Sequence, residues 1–296
     1  MYCQSHSRWI IQILLCCIII FCSCAPQIPV GKYELLEDSS CSILANTIDT
    51  YSRIERLQRR FAITTAPDSE INRDLFKPQI AGQSFDLTPE LRFRESAFHV
   101  LVKYVTLLRV LSSKDYLSEV DKASQMLAGN LKNFTETSKM MKGSDPSRAS
   151  GISATLANII GRPLVKRKQL NALKEVMNLA QSDLEGLSEL IVGSNKKIKT
   201  AVGIMLDRII AHANAARPAY GTIERYRFDV EIADIITEVE EIEASLESMN
   251  TAILEIPNVH AQIRSEIEQK QTNLEALQVL IQEAQRASNF YRNLSN

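Results

Sequence analysis

Apolar residues recur along this chain at intervals of three and four, and no stretch shows sustained period-two alternation bounded by turn residues, so helices are expected throughout and strands are nearly absent. From Ile43 the series Thr47, Thr50, Ile54, Leu57 and Phe61 predicts a helix near 39–62, with Ser39 or Ser40 placed to cap it. Residues 64–87 carry Pro67, Pro78 and Gly82 and read as a long irregular segment. Thr88-Pro89 is a start signal, a hydroxyl before a proline whose missing N–H costs nothing at a helix start. Phe93, Ala97, Val100, Tyr104, Leu107 and Leu111, widened by Leu101, Val105 and Leu108, make that helix apolar on most sides, which predicts a central position. A further seam runs from Leu117 to Phe134 and ends at Lys142-Gly143-Ser144-Asp145-Pro146, the clearest loop in the chain. A short helix near 150–160 follows. Leu170, Leu173, Met177, Ala180, Leu184, Leu187 and Ile191 form the next seam, which Gly193-Ser194-Asn195 is expected to interrupt before Ile198, Val202, Met205, Ile209, His212 and Ala216 carry it to Arg217-Pro218.

The last third is the most regular. Phe228, Ile232, Ile235, Val239, Ile242, Leu246, Met249, Ile253 and Ile256 are successive seam positions of coiled-coil type, and Ile263, Ile267, Leu274, Leu277, Ile281, Ala284 and Tyr291 keep the phase. Pro257 lies between the two runs. Inside a helix it removes a hydrogen bond and clashes, at roughly 3 kcal/mol, so an antiparallel hairpin at Glu255–Asn258 is favoured over one kinked helix, with Ile242 packed near Leu277. The expected fold is all-α, an elongated antiparallel bundle with long coiled-coil-like helices. It would occupy residues 39–296, with a sub-boundary at 142–150, behind a leader at 1–23 and a tether at 24–38.

Composition changes the picture mainly at the N-terminus. The 296 residues are 45% apolar and 23% charged, with only 10 Gly and 9 Pro, which excludes collagen-like and wholly disordered chains. All six cysteines fall within the first 41 residues. There, Arg8 precedes an apolar run from Trp9 to Cys22, about 14 residues and too short to cross a bilayer comfortably, but suited to a signal peptide. Phe21-Cys22-Ser23-Cys24 then places small residues before Cys24, and Ala25-Pro26 keeps the following chain extended.

Residues 21–24 resemble the lipobox of bacterial lipoproteins. The resemblance implies that Cys24 is alkylated by diacylglycerol, becomes residue one of the mature chain and is acylated on its amino group. Two or three acyl chains, at roughly 0.8 kcal/mol per buried CH₂, would hold the protein at a membrane. Ala25 in place of Asp implies sorting to the outer membrane in enteric-type bacteria, on its periplasmic or surface face. An uncleaved short anchor would give nearly the same topology. Removing the leader leaves 33 basic and 35 acidic side chains, and Cys41 without an intramolecular disulfide partner.

A formal charge of −1 for the whole chain gives no field to recruit nucleic acid. Its distribution is uneven. Residues 222–256 hold ten acids against Arg225 and Arg227, while Arg162, Lys166, Arg167, Lys168 and Lys174 form a run without acids. The main expectation is that such runs flank neighbouring helices and pair. The sharper one is an acidic docking face for a partner, with Glu231, Asp234, Glu238 and Glu241 as its candidates. Arg53, Arg56 and Arg60 share a helix face and read as solvated, with anionic lipid headgroups as the alternative.

The inventory of chemistry is thin. His99, His212 and His260 lack the Glu-x-x-His spacing of carboxylate-bridged di-iron bundles, and no His-Glu-x-x-His, Gly-x-Ser-x-Gly, phosphate loop or dinucleotide fingerprint occurs. His212, on an apolar seam, is expected to be a satisfied core histidine, and Glu95 with His99 an i, i+4 pair. No catalytic residue, metal or cofactor is expected. The leading expectation is a lipid-anchored structural or adaptor protein of the cell envelope that binds a protein partner. A membrane-active helical protein of the pore-forming kind comes second, although no internal segment nears 18 uncharged apolar residues, and an enzyme third.

Overall fold

The structure, a computed structural model, describes residues 30–66, 79–80, 83–84, 87–140, 146–160, 169–269 and 275–292. Among them are seven α-helices: α1 Val30–Thr65, α2 Thr88–Ser112, α3 Tyr116–Met140, α4 Pro146–Ile160, α5 Gln169–Ala216, α6 Thr222–Gln269 and α7 Glu275–Arg292. A 3-10 turn, Arg217–Ala219, joins α5 to α6. Two-residue strands β1 Gln79–Ile80 and β2 Gln83–Ser84 pair antiparallel, Gln79 opposite Ser84. The fold is an all-α bundle whose longest members, α5 and α6, have 48 residues each, about 72 Å.

Side-chain bonds set the register. Lys32 pairs with Glu266, Thr50 Oγ1 lies 2.9 Å from Ser245 Oγ, and Arg60 reaches Glu238 at 2.9 Å, so α1 runs antiparallel to α6. Asn195 bonds Asn250, Lys199 pairs with Glu247, and Arg217 with Asp229, so α5 is antiparallel to α6 as well. The turn that joins α5 to α6 therefore stands at the end of the bundle opposite Val30. Continuing the register from Arg60 and Glu238, α6 extends roughly ten residues, about 15 Å, past the last turn of α1. Helix α2 buries residues on most sides, Phe93, Ala97, Leu101, Tyr104 and Leu108 among them, and packs on α1, α3 and α5, as its breadth of apolar positions predicts.

Three boundaries differ from the expectations. Helix α1 begins at Val30, so the latter part of the expected tether is helical, because Tyr33 and Leu36 extend the buried seam. Ser39 and Ser40 consequently lie mid-helix, where Ser40 Oγ donates to the Leu36 carbonyl at 2.7 Å instead of capping. Thr88 is the first helical residue, not the cap, and Leu87 in the cap position offers no side-chain bond. Helix α5 runs through Gly193-Ser194-Asn195 without a break, since Asn195 is fully buried and bonds across the bundle.

The hairpin at Pro257 is not formed. Helix α6 continues through the proline to Gln269, and α7, from Glu275, packs along α6 and α1. The energetic reason is local. The proline deprives the Ile253 carbonyl of its donor at about 3 kcal/mol, but Ile253, Ile256, Val259 and Ile263 are all buried around it, each contributing roughly 1.5–3 kcal/mol. Burial wins. Ile242 then lies some 40 Å along the axis from Gln269, whereas the 18 residues of α7 span about 27 Å, so Leu277 does not reach it.

Candidate functional site

The acidic face divides in two. Glu238 accepts from Arg60 at 2.9 Å and lies 3.9 Å from Arg53 Nε, and Glu241 pairs with Arg53, so these two acids are held by α1. Glu243 and Glu247 flank Lys199 of α5, and Asp229 takes a bidentate bond from Arg217, both at 2.8 Å. Inter-helix pairing of flanking charges, the main expectation, thus occurs among the described residues, with bases from α1, α5 and the turn after α5; Arg162, Lys166, Arg167 and Lys168 of the expected run lie outside the described residues. Within that run only Lys174 is described, and no ion pair of it with the acidic helix is seen. Asp234 and Glu231, one and two helical turns nearer the α5–α6 turn than Glu238, are exposed and make no ion pair among the described residues. Arg53 and Arg60, expected on a solvated face, instead pair with acids of α6 because the antiparallel register brings Glu238 and Glu241 alongside them. Cys24 lies outside the described residues, and Cys41 is an exposed free thiol whose ionisation burial of its sulfur environment and Glu37 push up.

Two buried polar clusters escaped the reading of the sequence. In the first, the Arg94 side chain of α2 is fully buried: Nη2 donates to the Ser194 carbonyl of α5, and the guanidinium carbon lies 5.8 Å from the Tyr51 ring centroid. Tyr51 donates to Asn195 Oδ1 at 3.3 Å, and Asn195 Nδ2 donates to Asn250 Oδ1 at 2.7 Å, so one network crosses α1, α2, α5 and α6. Burial lowers the Arg94 pKa to about 10, which leaves it charged at neutral pH, and burial raises that of Tyr51, which keeps it a neutral phenol. Arg94 Nε and Nη1 have no hydrogen-bond acceptor among the described residues.

The second cluster centres on His260, fully buried on α6 beside Pro257. His260 Nδ1 lies 2.6 Å from Gln181 Oε1, which only accepts, so Nδ1 carries the proton and Nε2 accepts from the Tyr104 hydroxyl at 2.8 Å. Gln181 Nε2 in turn donates to the Pro257 carbonyl at 3.2 Å and to Glu185 at 2.8 Å. Desolvation, with Arg264 nearby, drives His260 down to about 3, so the imidazole is neutral and every polar atom on it is used. His212, by contrast, is exposed, a correction to its expected core position, because the buried seam runs Met205, Ile209, Ala213 and leaves His212 one position off it. Glu95 and His99 stand 3.7 Å apart as an i, i+4 pair.

Both clusters had a sequence signal. Asn195 follows Ile191 by four and precedes Ile198 by three, and His260 stands in the same relation to Ile256 and Ile263. Polar residues in phase with a seam are buried if the helix continues, and both helices were expected to break there. Chemically, a neutral phenol, a neutral imidazole saturated by its partners and a charged guanidinium offer neither nucleophile nor base at neutral pH. They select which helices meet. Among the described residues no group of three or more His, Cys, Asp or Glu is placed to hold a metal ion, and no helix is long and apolar enough to cross a membrane.

No known family, curated protein or solved structure matches this chain. What the fold defines is a class, the antiparallel all-α bundle with two helices longer than the rest.

Proposed function

We propose that the chain is a lipid-anchored adaptor of the bacterial cell envelope, attached through an acylated Cys24 and binding a protein partner at the α5–α6 end. The observation that carries this reading is the opposition of the two ends. Val30, six residues after Cys24, is level with Glu266, while Glu231 and Asp234 lie some 50 Å away along α6, level with the last turn of α1, exposed and in no ion pair among the described residues. A tethered bundle of this length holds its free acidic surface clear of the membrane. The sealed polar clusters support a scaffold over an enzyme.

Two measurements test the reading together. Cys24→Ser should abolish membrane retention or leader processing in cells, while Cys41→Ser leaves both unchanged. A photo-crosslinker at Asp234 should capture a protein in intact cells that one at Glu119 of α3 does not. Membrane retention of processed Cys24→Ser, or equal capture from both positions, refutes it.

A further inference from the structure

The outward face of α6 near the α5–α6 turn carries an apolar stripe. Ile223 and Tyr226 are 70% and 71% exposed and Val230 43%, and Ala233 and Thr237, both exposed, continue the three-four spacing. At about 100° per residue these positions lie roughly opposite the inner seam of Phe228, Ile235 and Val239. The stripe ends where Glu240 and Glu241 follow, and Glu241 is already paired with α1. It is a second coiled-coil seam with no helix of this chain on it among the described residues.

Its polarity and size pattern point to the occupant. Arg227 and Asp234 lie seven residues apart on one flank of the stripe, both exposed and neither in an ion pair among the described residues. A second copy of α6 laid antiparallel about a two-fold axis at Val230 brings Arg227 of each chain beside Asp234 of the other, twice per interface. The same alignment sets Tyr226 opposite the small Ala233 and Ile223 opposite Thr237. A parallel pair instead turns the flank with Arg227 and Asp234 toward the partner's opposite flank, so neither Arg227–Asp234 pair forms. We propose that the stripe pairs with its own copy in a second chain, antiparallel about Val230. The partner of the surface described above is then another molecule of this protein.

The geometry carries further consequences. Val30 of each chain is level with Glu266, so the two N-termini point apart, separated by about 110 Å along the common axis. With Cys24 as the anchor, on which this step alone rests, the dimer joins two facing membrane surfaces rather than two sites on one.

Sedimentation of the full chain in a non-ionic detergent, from about 1 μM to 1 mM, covers the affinities of so small an interface. The wild type should pass from monomer to dimer within that range. Arg227→Asp alone and Asp234→Arg alone should each weaken dimerisation at least tenfold, and an equimolar mixture of the two variants should restore it, since both cross-pairs are then opposite in charge. Tyr226→Ser should also lose the dimer without loss of helix content. A wild type monomeric throughout overturns the pairing, as does dimerisation of either single charge variant at wild-type affinity or a mixture that stays monomeric. Binding of the monomer to protein-free anionic vesicles through Tyr226 assigns the stripe to lipid and overturns it too. Vesicles bearing the acylated full chain should cluster and those bearing Arg227→Asp should not. Dimers in detergent with no clustering leave the pairing intact and overturn the anchor placement beneath it.

Discussion

Acidification offers a direct test of the His260 cluster. The imidazole has a free pKa near 6.5 and is held at about 3 in the fold, so between those values the unfolded chain binds a proton that the folded chain does not. The stability this contributes is complete above pH 6.5 and is lost as pH falls toward 3. The slope approaches 1.4 kcal/mol per pH unit, and from pH 7 to 4.5 the loss amounts to about 2.5 kcal/mol. Other groups face the histidine. Tyr104 of α2 stays protonated throughout, Arg264 of α6 adds to the downward shift of His260, and Asp183 of α5, near Tyr104, whose carboxyl burial raises, works in the opposite direction at the acid end of the window. Urea denaturation followed by circular dichroism at pH 7, 6, 5 and 4.5, at one dilute protein concentration, measures the slope. His260→Gln should be less stable than wild type at pH 7, because Tyr104 and Gln181 lose a fitted partner, yet should show a flatter dependence on pH. Parallel losses in wild type and variant would refute a neutral buried imidazole, whatever their absolute stabilities.

The remaining predictions concern packing. Tyr104→Phe should cost about 1–3 kcal/mol in denaturation by leaving His260 Nε2 buried and unpaired. Asn195→Ala and Asn250→Ala should each destabilise, and a double-mutant cycle should give a coupling of about 1 kcal/mol, whereas additivity would mean that the bond between them contributes nothing. Cysteines replacing Thr50 and Ser245, whose hydroxyl oxygens lie 2.9 Å apart, should form a disulfide, and cysteines at Ile242 and Leu277 should remain reduced; a cross-link at the second pair would restore the hairpin at Pro257.

How much of this protein was legible in its sequence follows from the range of the forces involved. The spacing of Phe93, Ala97, Val100 and Tyr104, or of Ile235, Val239, Ile242 and Leu246, fixes helix and buried face together, because amphipathicity is a property of one segment and needs no knowledge of its neighbours. The all-α class and the burial of these seams were therefore readable in advance. Where helices end was not. Pro257 and Gly193-Ser194-Asn195 are breakers by local propensity, and only the apolar burial around Ile253 and Val259, with the bonds from Asn195 to Asn250 and from Gln181 to Pro257, makes continuation the lower-energy path. The same dependence on neighbours decided the charges. An acidic run announces itself in sequence, but the antiparallel register sends Glu238 and Glu241 to Arg53 and Arg60, far from them in sequence, and leaves Glu231 and Asp234 at the last turn of α1, facing water. Period is local and register is not, so the sequence determined the helices while the tertiary structure determined which of their polar groups are sealed inside and which remain free to meet another molecule.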